Sequence, residues 1–301
     1  MSSRTSSQPE NSIRRISERP ATRSPLSSRP TDRALMNTTD YINIENLTFW
    51  YRGLPEPAIR GVDLTVAKGE FACIVGPSGC GKSTLLNILS GLFTPQDGRV
   101  AIDGKTYFED GKRATSDLPP CGYVFQDARL LPWRTVKQNI ALALKAAGIP
   151  EGTWDETVRS HLRMLRLEAY ENAWPLNLSG GQRARIAIAR ALAVQPAFIL
   201  MDEPFSTLDE VTGRFLRSEL LDLWERTGAT IVFVTHSLRE AVYLSDHIYL
   251  MTAGPGEIFD QHTIELSRPR KYEDPRITEI EGRLVETVLE RWGYYEDETP
   301  T

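Results

Sequence analysis

The strongest constraint on this chain is a buried strand that runs directly into a glycine-rich turn. Phe71–Val75 is a continuous apolar run, which suits a strand covered on both faces. It is followed by Gly76, Pro77, Ser78, Gly79, Cys80, Gly81, Lys82 and Ser83, with Thr84 next, and these fill the pattern G-x-x-x-x-G-K-[ST]. The chemistry accounts for each part. Glycines let the backbone curl so that successive N–H groups converge on phosphate oxygens. The helix expected from about Lys82 to Ser90 adds its positive N-terminus. Lys82 reaches the β- and γ-phosphates, and the Ser83 hydroxyl is a ligand for Mg²⁺. Kinases and GTPases carry the same string, so by itself it predicts a nucleoside triphosphate and no more.

A second buried strand, residues 197–201, ends in Asp202 and Glu203. Side chains alternate along a strand, so neighbours at its end can take two roles. Beside a phosphate loop, Asp202 is placed to hold Mg²⁺. Glu203 is the candidate base for an attacking water. The competing reading is that Asp-Glu-Pro is only a turn.

The rest of the pattern is α/β. Ile42, Ile44 and Leu47 begin one alternating strand, and Val62, Leu64 and Val66 form another. Further strands are expected at 230–234 and 248–251, with helices at 181–193 and 211–226 between strands. Residues 134–180 differ, with helical periodicity at 136–147 and 154–167, and read as a helical insertion. A last amphipathic helix carries Ile277, Ile280, Leu284, Val288 and Leu289 and is expected to pack back on the domain. Residues 1–40 are rich in Ser, Pro and Arg and read as a disordered tail; contact of its arginines with anionic lipid is the alternative.

Composition narrows the function classes. With a net charge of −5, nothing in the bulk charge suggests a nucleic-acid binder. Three scattered cysteines, Cys73, Cys80 and Cys121, argue against a disulfide framework or a zinc site and for a reduced compartment. No apolar run is long enough to span a bilayer, and no apolar leader opens the chain. Service to a membrane would have to run through other chains.

Leu178-Ser179-Gly180-Gly181-Gln182, opening a helix ahead of Asp202, resembles the signature motif of ABC ATPases. Other stretches resemble that family in the same order. Tyr51 matches the aromatic that stacks on adenine, with a core tyrosine or the neighbouring Trp50 as alternatives. Gln126 after the strand at 123–125 resembles the glutamine that senses Mg²⁺ and water. Ser206 to Asp209 resembles the D-loop, and His236 the switch histidine on the γ-phosphate. Two positions depart from the usual pattern, Ala184 just beyond the signature and Thr207 in the D-loop; neither removes a group assigned to phosphate chemistry.

The resemblance implies an α/β fold: a P-loop NTPase (RecA-like) core with a mostly parallel sheet, an antiparallel β edge and a helical subdomain. It places the ATPase domain at residues 41–256, with the helical subdomain at about 134–180 and a short extension at 257–301. It implies ATP and Mg²⁺, with Ser83, Gln126 and Asp202 at the metal and Glu203, His236 and Gln126 in hydrolysis. One subunit would offer its phosphate loop, and its partner would offer Ser179, Gly180 and Gly181; Gln182 and Asp209 belong to the same nucleotide-binding set. The site then needs two copies, or one copy and a paralogue. Other implied partners are two membrane-spanning permease subunits, gripped by the helical insertion, and an extracytoplasmic solute-binding protein, with the chain peripheral on the cytoplasmic face of the membrane.

Leu130-Leu131-Pro132-Trp133, the run from Phe205 to Thr212, the run from Glu240 to Asp246, Gly254 to Ile258, and Leu266-Ser267-Arg268-Pro269-Arg270 resemble the nitrate, sulfonate and taurine importers. That group also takes other small cargoes, so the solute stays open. The alternatives are a different transporter class, an ABC ATPase without a membrane partner, a P-loop kinase or GTPase, and a nucleotide-binding regulator without turnover.

Overall fold

The computed structural model describes residues 40–115 and 117–292. Residues 1–39 of the expected N-terminal tail and the last nine residues of the expected extension, 293–301, lie outside the described residues, and Asp40, expected as the end of the tail, already begins the first strand.

Eleven strands and seven α-helices occur among the described residues. They are β1 (Asp40–Phe49), β2 (Ile59–Ala67), β3 (Phe71–Val75), α1 (Lys82–Leu89), β4 (Asp97–Ile102), β5 (Lys105–Glu109), β6 (Lys112–Arg113), β7 (Cys121–Val124), α2 (Val136–Ala146), α3 (Trp154–Met164), α4 (Gly180–Ala193), β8 (Phe198–Asp202), α5 (Glu210–Thr227), β9 (Thr230–Thr235), α6 (Leu238–Leu244), β10 (His247–Met251), β11 (Ile258–Thr263) and α7 (Pro275–Arg291). They build two sheets. The larger has the order β11-β10-β3-β9-β8-β7, and its strands from β10 to β7 pair in parallel. The smaller is antiparallel, with the order β2-β1-β4-β5-β6.

The period of two explains how one sheet serves two cores. On β3, Ala72 and Ile74 join a cluster shared with α1 and the antiparallel sheet, including Ile42, Leu85, Val100 and Phe108. Phe71, Cys73 and Val75 join the other cluster, shared with the helices through Ile140, Leu162, Ala187, Leu220 and Leu284. The parallel strands are therefore apolar throughout, as a strand covered on both faces must be. No helix among the described residues is long and apolar enough to cross a membrane, and the three cysteines are free.

The structure differs from the sequence reading in two local ways. α3 stops at Met164 instead of continuing to Leu167, because Arg166 enters the left-handed region (φ 55) and the Leu167 amide reaches back to the Leu162 carbonyl at 2.8 Å. β7 ends at Val124, where its pairing with Met201 of β8 ends, so Phe125 already belongs to the loop. The final helix, α7, packs on α6 and buries Ile277, Leu284 and Val288.

Gly98 lies where β1 bulges against β4, with φ +87 and no room for a side chain: a Cβ there would meet the Asn46 carbonyl oxygen at 2.4 Å. Gly98→Ala is expected to destabilise the fold by more than about 1 kcal/mol, measured by equilibrium urea unfolding; an unchanged midpoint and slope would contradict this account of the bulge.

Candidate functional site

The carboxyl ends of parallel β3, β8 and β9 meet at one edge of the sheet, where the turn after β3, Glu203 after β8 and Gln126 after β7 line a cleft of about 360 Å³. Its lining includes Tyr51, Ser78, Gly79, Lys82, Gln126 and Glu203. From β3 the chain turns through Gly79 (φ +82) and Gly81 (φ +102), conformations that favour glycine, and enters α1 at Lys82. Gly81 also touches the backbone of Ala58: a Cβ would come within 2.7 Å of that carbonyl oxygen. The Lys82 ammonium is only 5% exposed and donates to the carbonyls of Gly76 (2.7 Å) and Pro77 (2.9 Å). Its third neighbour is Glu203 Oε1 at 3.5 Å.

Asp202 ends β8, and Glu203 follows it. Asp202 Oδ1 accepts from Ser83 Oγ at 3.0 Å. Burial pushes the Asp202 carboxyl above the usual range, while the Ser83 hydrogen bond pulls it down. Glu203 has φ 45, a left-handed conformation that costs a non-glycine residue about 1 kcal/mol or more. Its amide stays tied to the Val234 carbonyl of β9 at 3.0 Å, so the strain is held by the sheet. That twist aims the carboxylate at the cleft, where His236 Nδ1 donates to Glu203 Oε2 at 2.9 Å. Gln126 Nε2 donates to Ser206 Oγ at 3.2 Å, and Ser206 Oγ donates to the Glu203 carbonyl at 2.9 Å. The loop after β7 is thus tied to the loop after β8.

Tyr51 stands at the rim, 38% exposed. Its hydroxyl shares a hydrogen bond with Thr84 Oγ1 (2.9 Å), and its ring meets Phe49 and Phe93 edge-on at 5.1 and 5.8 Å. Trp50 is fixed instead through its backbone, with Gln96 bridging its N–H and carbonyl at 3.0 Å each.

Several expected residues are occupied differently. Cys80 is buried, its sulfur packed under Gly76, so only its backbone faces the turn. Ser179, Gly180, Gly181 and Gln182 do not line this cleft. Ser179 caps α4: its Oγ accepts from the Gln182 amide at 3.3 Å, and the Gln182 side chain accepts from the Ser179 amide at 2.8 Å. Gly181 is buried against Thr212. Asp209 is likewise the cap of α5, accepting from the Thr212 amide at 3.0 Å, and this bond holds its carboxyl below the usual range.

The sequence reading missed Gly256. It is buried beside the phosphate loop: its amide donates to the Ala58 carbonyl (3.1 Å), its carbonyl accepts from the Arg60 amide (2.9 Å), and a Cβ would fall 1.9 Å from the Cys80 carbonyl oxygen. Its place in a Gly-Pro-Gly string was visible, but nothing local said which loop would press on it.

The family profile described as "ABC transporter" matches residues 59–206. The chain is 40% identical to a nitrate import ATP-binding protein of Synechococcus elongatus, over 81% of this chain and 89% of the relative. It is 41% identical to a taurine import ATP-binding protein of Pseudomonas aeruginosa, over 74% and 82%. Among solved structures, a dimeric ATP-binding cassette in a post-hydrolysis state, bound to ADP and phosphate, aligns with a TM-score of 0.64 and 33% identity, covering 75% of this chain and all of that one.

Gly256→Ala is expected to push the Cys80 carbonyl and the phosphate loop out of place, at a cost of about 1–3 kcal/mol. Thermal unfolding should show that loss, and titration with a fluorescent ATP analogue should show weaker binding; unchanged affinity would mean that the loop does not depend on this contact.

Proposed function

Because the chain belongs to the ABC transporter family of ATP-binding proteins and hydrolyses ATP, we propose that it drives import of a small solute from the cytoplasmic face of a membrane, through partner permeases, with Glu203 and His236 performing hydrolysis. The observation that carries the reading is the meeting of Lys82, Ser83, Asp202, Glu203 and His236 around one glycine-rich turn, supplied by three adjacent strands.

Lys82 and the amides of the turn bind the β- and γ-phosphates. Tyr51 offers its ring at the rim to the base. The Ser83 hydroxyl and the Asp202 carboxylate, side by side, are hard oxygen donors that fit Mg²⁺, a cation that keeps its other positions for phosphate oxygens and water. Gln126, which lines the same cleft, would join that set. When bound, Mg²⁺ supplies charge neutralisation on the β- and γ-oxygens. Glu203 takes the proton of the water that attacks the γ-phosphorus as the bond to ADP breaks. His236, hydrogen-bonded to Glu203 and otherwise exposed, orients that carboxylate and contacts the terminal phosphate.

The partner protomer completes the site. The N-terminus of α4 is exposed at Ser179, and its first amides have no intrahelical acceptor. Such a terminus is suited to an anion held by another copy. The dimeric cassette among the similar structures supports this arrangement.

Permease docking is supported by exposed aromatic and apolar side chains at the helical layer. Trp133 (69%), Trp174 (46%) and Leu176 (81%) are accessible, and the start of α2 is tied to the segment before Trp174 by Val136 N–H to the Ala173 carbonyl at 3.0 Å. Leu130 from the same string packs into the core instead. An extracytoplasmic binding protein would select the solute, and relatives named for nitrate and taurine import support a small anionic or zwitterionic one.

Glu203→Gln is expected to lower ATP turnover by about 10²–10⁴-fold and to leave stable ATP-bound dimers; unchanged turnover would remove Glu203 as base. His236→Ala is expected to cut hydrolysis with ATP binding nearly intact, and a collapse of binding in the same titration would make the histidine structural.

A further inference from the structure

The segment that follows β11 folds back as a strap over α6, the helix that begins just beyond His236. Arg270 is buried and donates to the carbonyls of Val242 (2.8 Å), Tyr243 (3.2 Å) and Ser245 (2.7 Å). Val242 and Tyr243 belong to the last turn of α6 and Ser245 is its C-cap, where carbonyls lack intrahelical donors. Arg268 donates to the Leu244 carbonyl at 2.6 Å and pairs with Asp246. At the other end of the helix, Arg239 donates to the Tyr272 carbonyl at 2.7 Å and to Glu281 of α7 at 2.8 Å.

Tyr272 is the centre of the strap. Three guanidinium groups stand over its ring: Arg214 at 4.6 Å, Arg239 at 4.9 Å and Arg217 at 5.6 Å from the centroid. Arg214 and Arg239 have their own carboxylates, on Glu210 and Glu273 and on Glu281. Arg217 is different. It is buried, its Nε donates to Glu240 Oε1 at 2.8 Å, and its Nη1 is buried with no hydrogen-bond partner among the described residues. A buried, unpaired guanidinium nitrogen is costly, and the electron-rich face of an aromatic ring offsets part of that cost. Gly213, one turn earlier on α5, leaves space for the group: a Cβ there would sit 3.2 Å from Arg217 Nη1.

The buried pair leads to the site. The other oxygen of Glu240 accepts from the Thr235 hydroxyl, and Thr235 Oγ1 accepts from the Ser237 amide at 3.0 Å. Thr235 and Ser237 are the two neighbours of His236. We propose that Tyr272 is a positioning residue for ATP hydrolysis: through Arg217 and Glu240 it fixes the Thr235–Ser237 turn that aims His236 at Glu203. The inference rests on the reading of Glu203 and His236 as the hydrolytic pair. The ring face does this work, since no hydrogen bond of the Tyr272 hydroxyl contributes to it among the described residues.

The test is steady-state hydrolysis by the full chain, with rates normalised to protein that binds an ATP analogue, for Tyr272→Ala, Tyr272→Phe, His236→Ala and the double variant Tyr272→Ala with His236→Ala. Tyr272→Ala is expected to lower kcat about tenfold with KM for ATP within about twofold, and Tyr272→Phe to recover the rate to within about twofold of the parent. With His236 already removed, Tyr272→Ala should cause no further loss. If Tyr272→Ala does not fold, Tyr272→Leu, which keeps apolar bulk without the ring face, takes its place with the same expectations. An unchanged kcat, a phenylalanine no better than alanine, or a tenfold loss that persists without His236 would overturn the inference while leaving the hydrolytic reading intact. A His236→Ala variant with parental turnover would overturn that reading, and the inference with it.

Discussion

The structure depends on a turn that must leave backbone amides pointing outward at the end of a strand covered on both faces. β3 has β10 on one side and β9 on the other, and both are parallel to it. Parallel pairing brings the carboxyl ends of neighbouring strands to one edge, which is where open α/β sheets bind ligands. Phosphate loop, acid pair and histidine meet there because β3, β9 and β8 are adjacent. The conformational cost at Glu203 is tolerated because the β8–β9 ladder continues through its own amide.

Much of this was legible in the sequence because it rests on local chemistry. Unbroken apolar runs marked β3 and β8, and glycines at fixed offsets marked the turn. The antiparallel strands β4, β5 and β6 were less legible: they are short, Gly98 interrupts β4, Gly104 and Gly111 sit in the turns between them, and β4 pairs with β1, a strand far back in the chain. Two caps could have been read more fully. Ser179 with Gln182 three residues on is a capping-box spacing, and the structure uses both side chains that way. Asp209 before Thr212 is an ordinary N-cap. The contact between Glu203 and His236 was not readable locally, because it exists only once β8 and β9 lie side by side. Gly256 belongs to the same class, a glycine explained by a loop distant in sequence.

The string Leu266-Ser267-Arg268-Pro269-Arg270 follows β11. In the structure Arg268 and Arg270 bind backbone carbonyls around the end of α6 rather than a ligand. Planar guanidinium groups suit this task, since each can serve several acceptors at once. The extension is therefore tied to the end of α6, the helix that begins just beyond His236.

The central claim is that the hydrolytic site is shared, with one protomer holding the nucleotide and another closing over it with the start of α4. A structure of the Glu203→Gln variant saturated with ATP tests it most directly. The account predicts a dimer in which Ser179 Oγ of each protomer lies about 3 Å from the terminal phosphate held by its partner. A nucleotide-loaded protein in which Ser179 faces solvent, or an assembly closed through another surface, would contradict it.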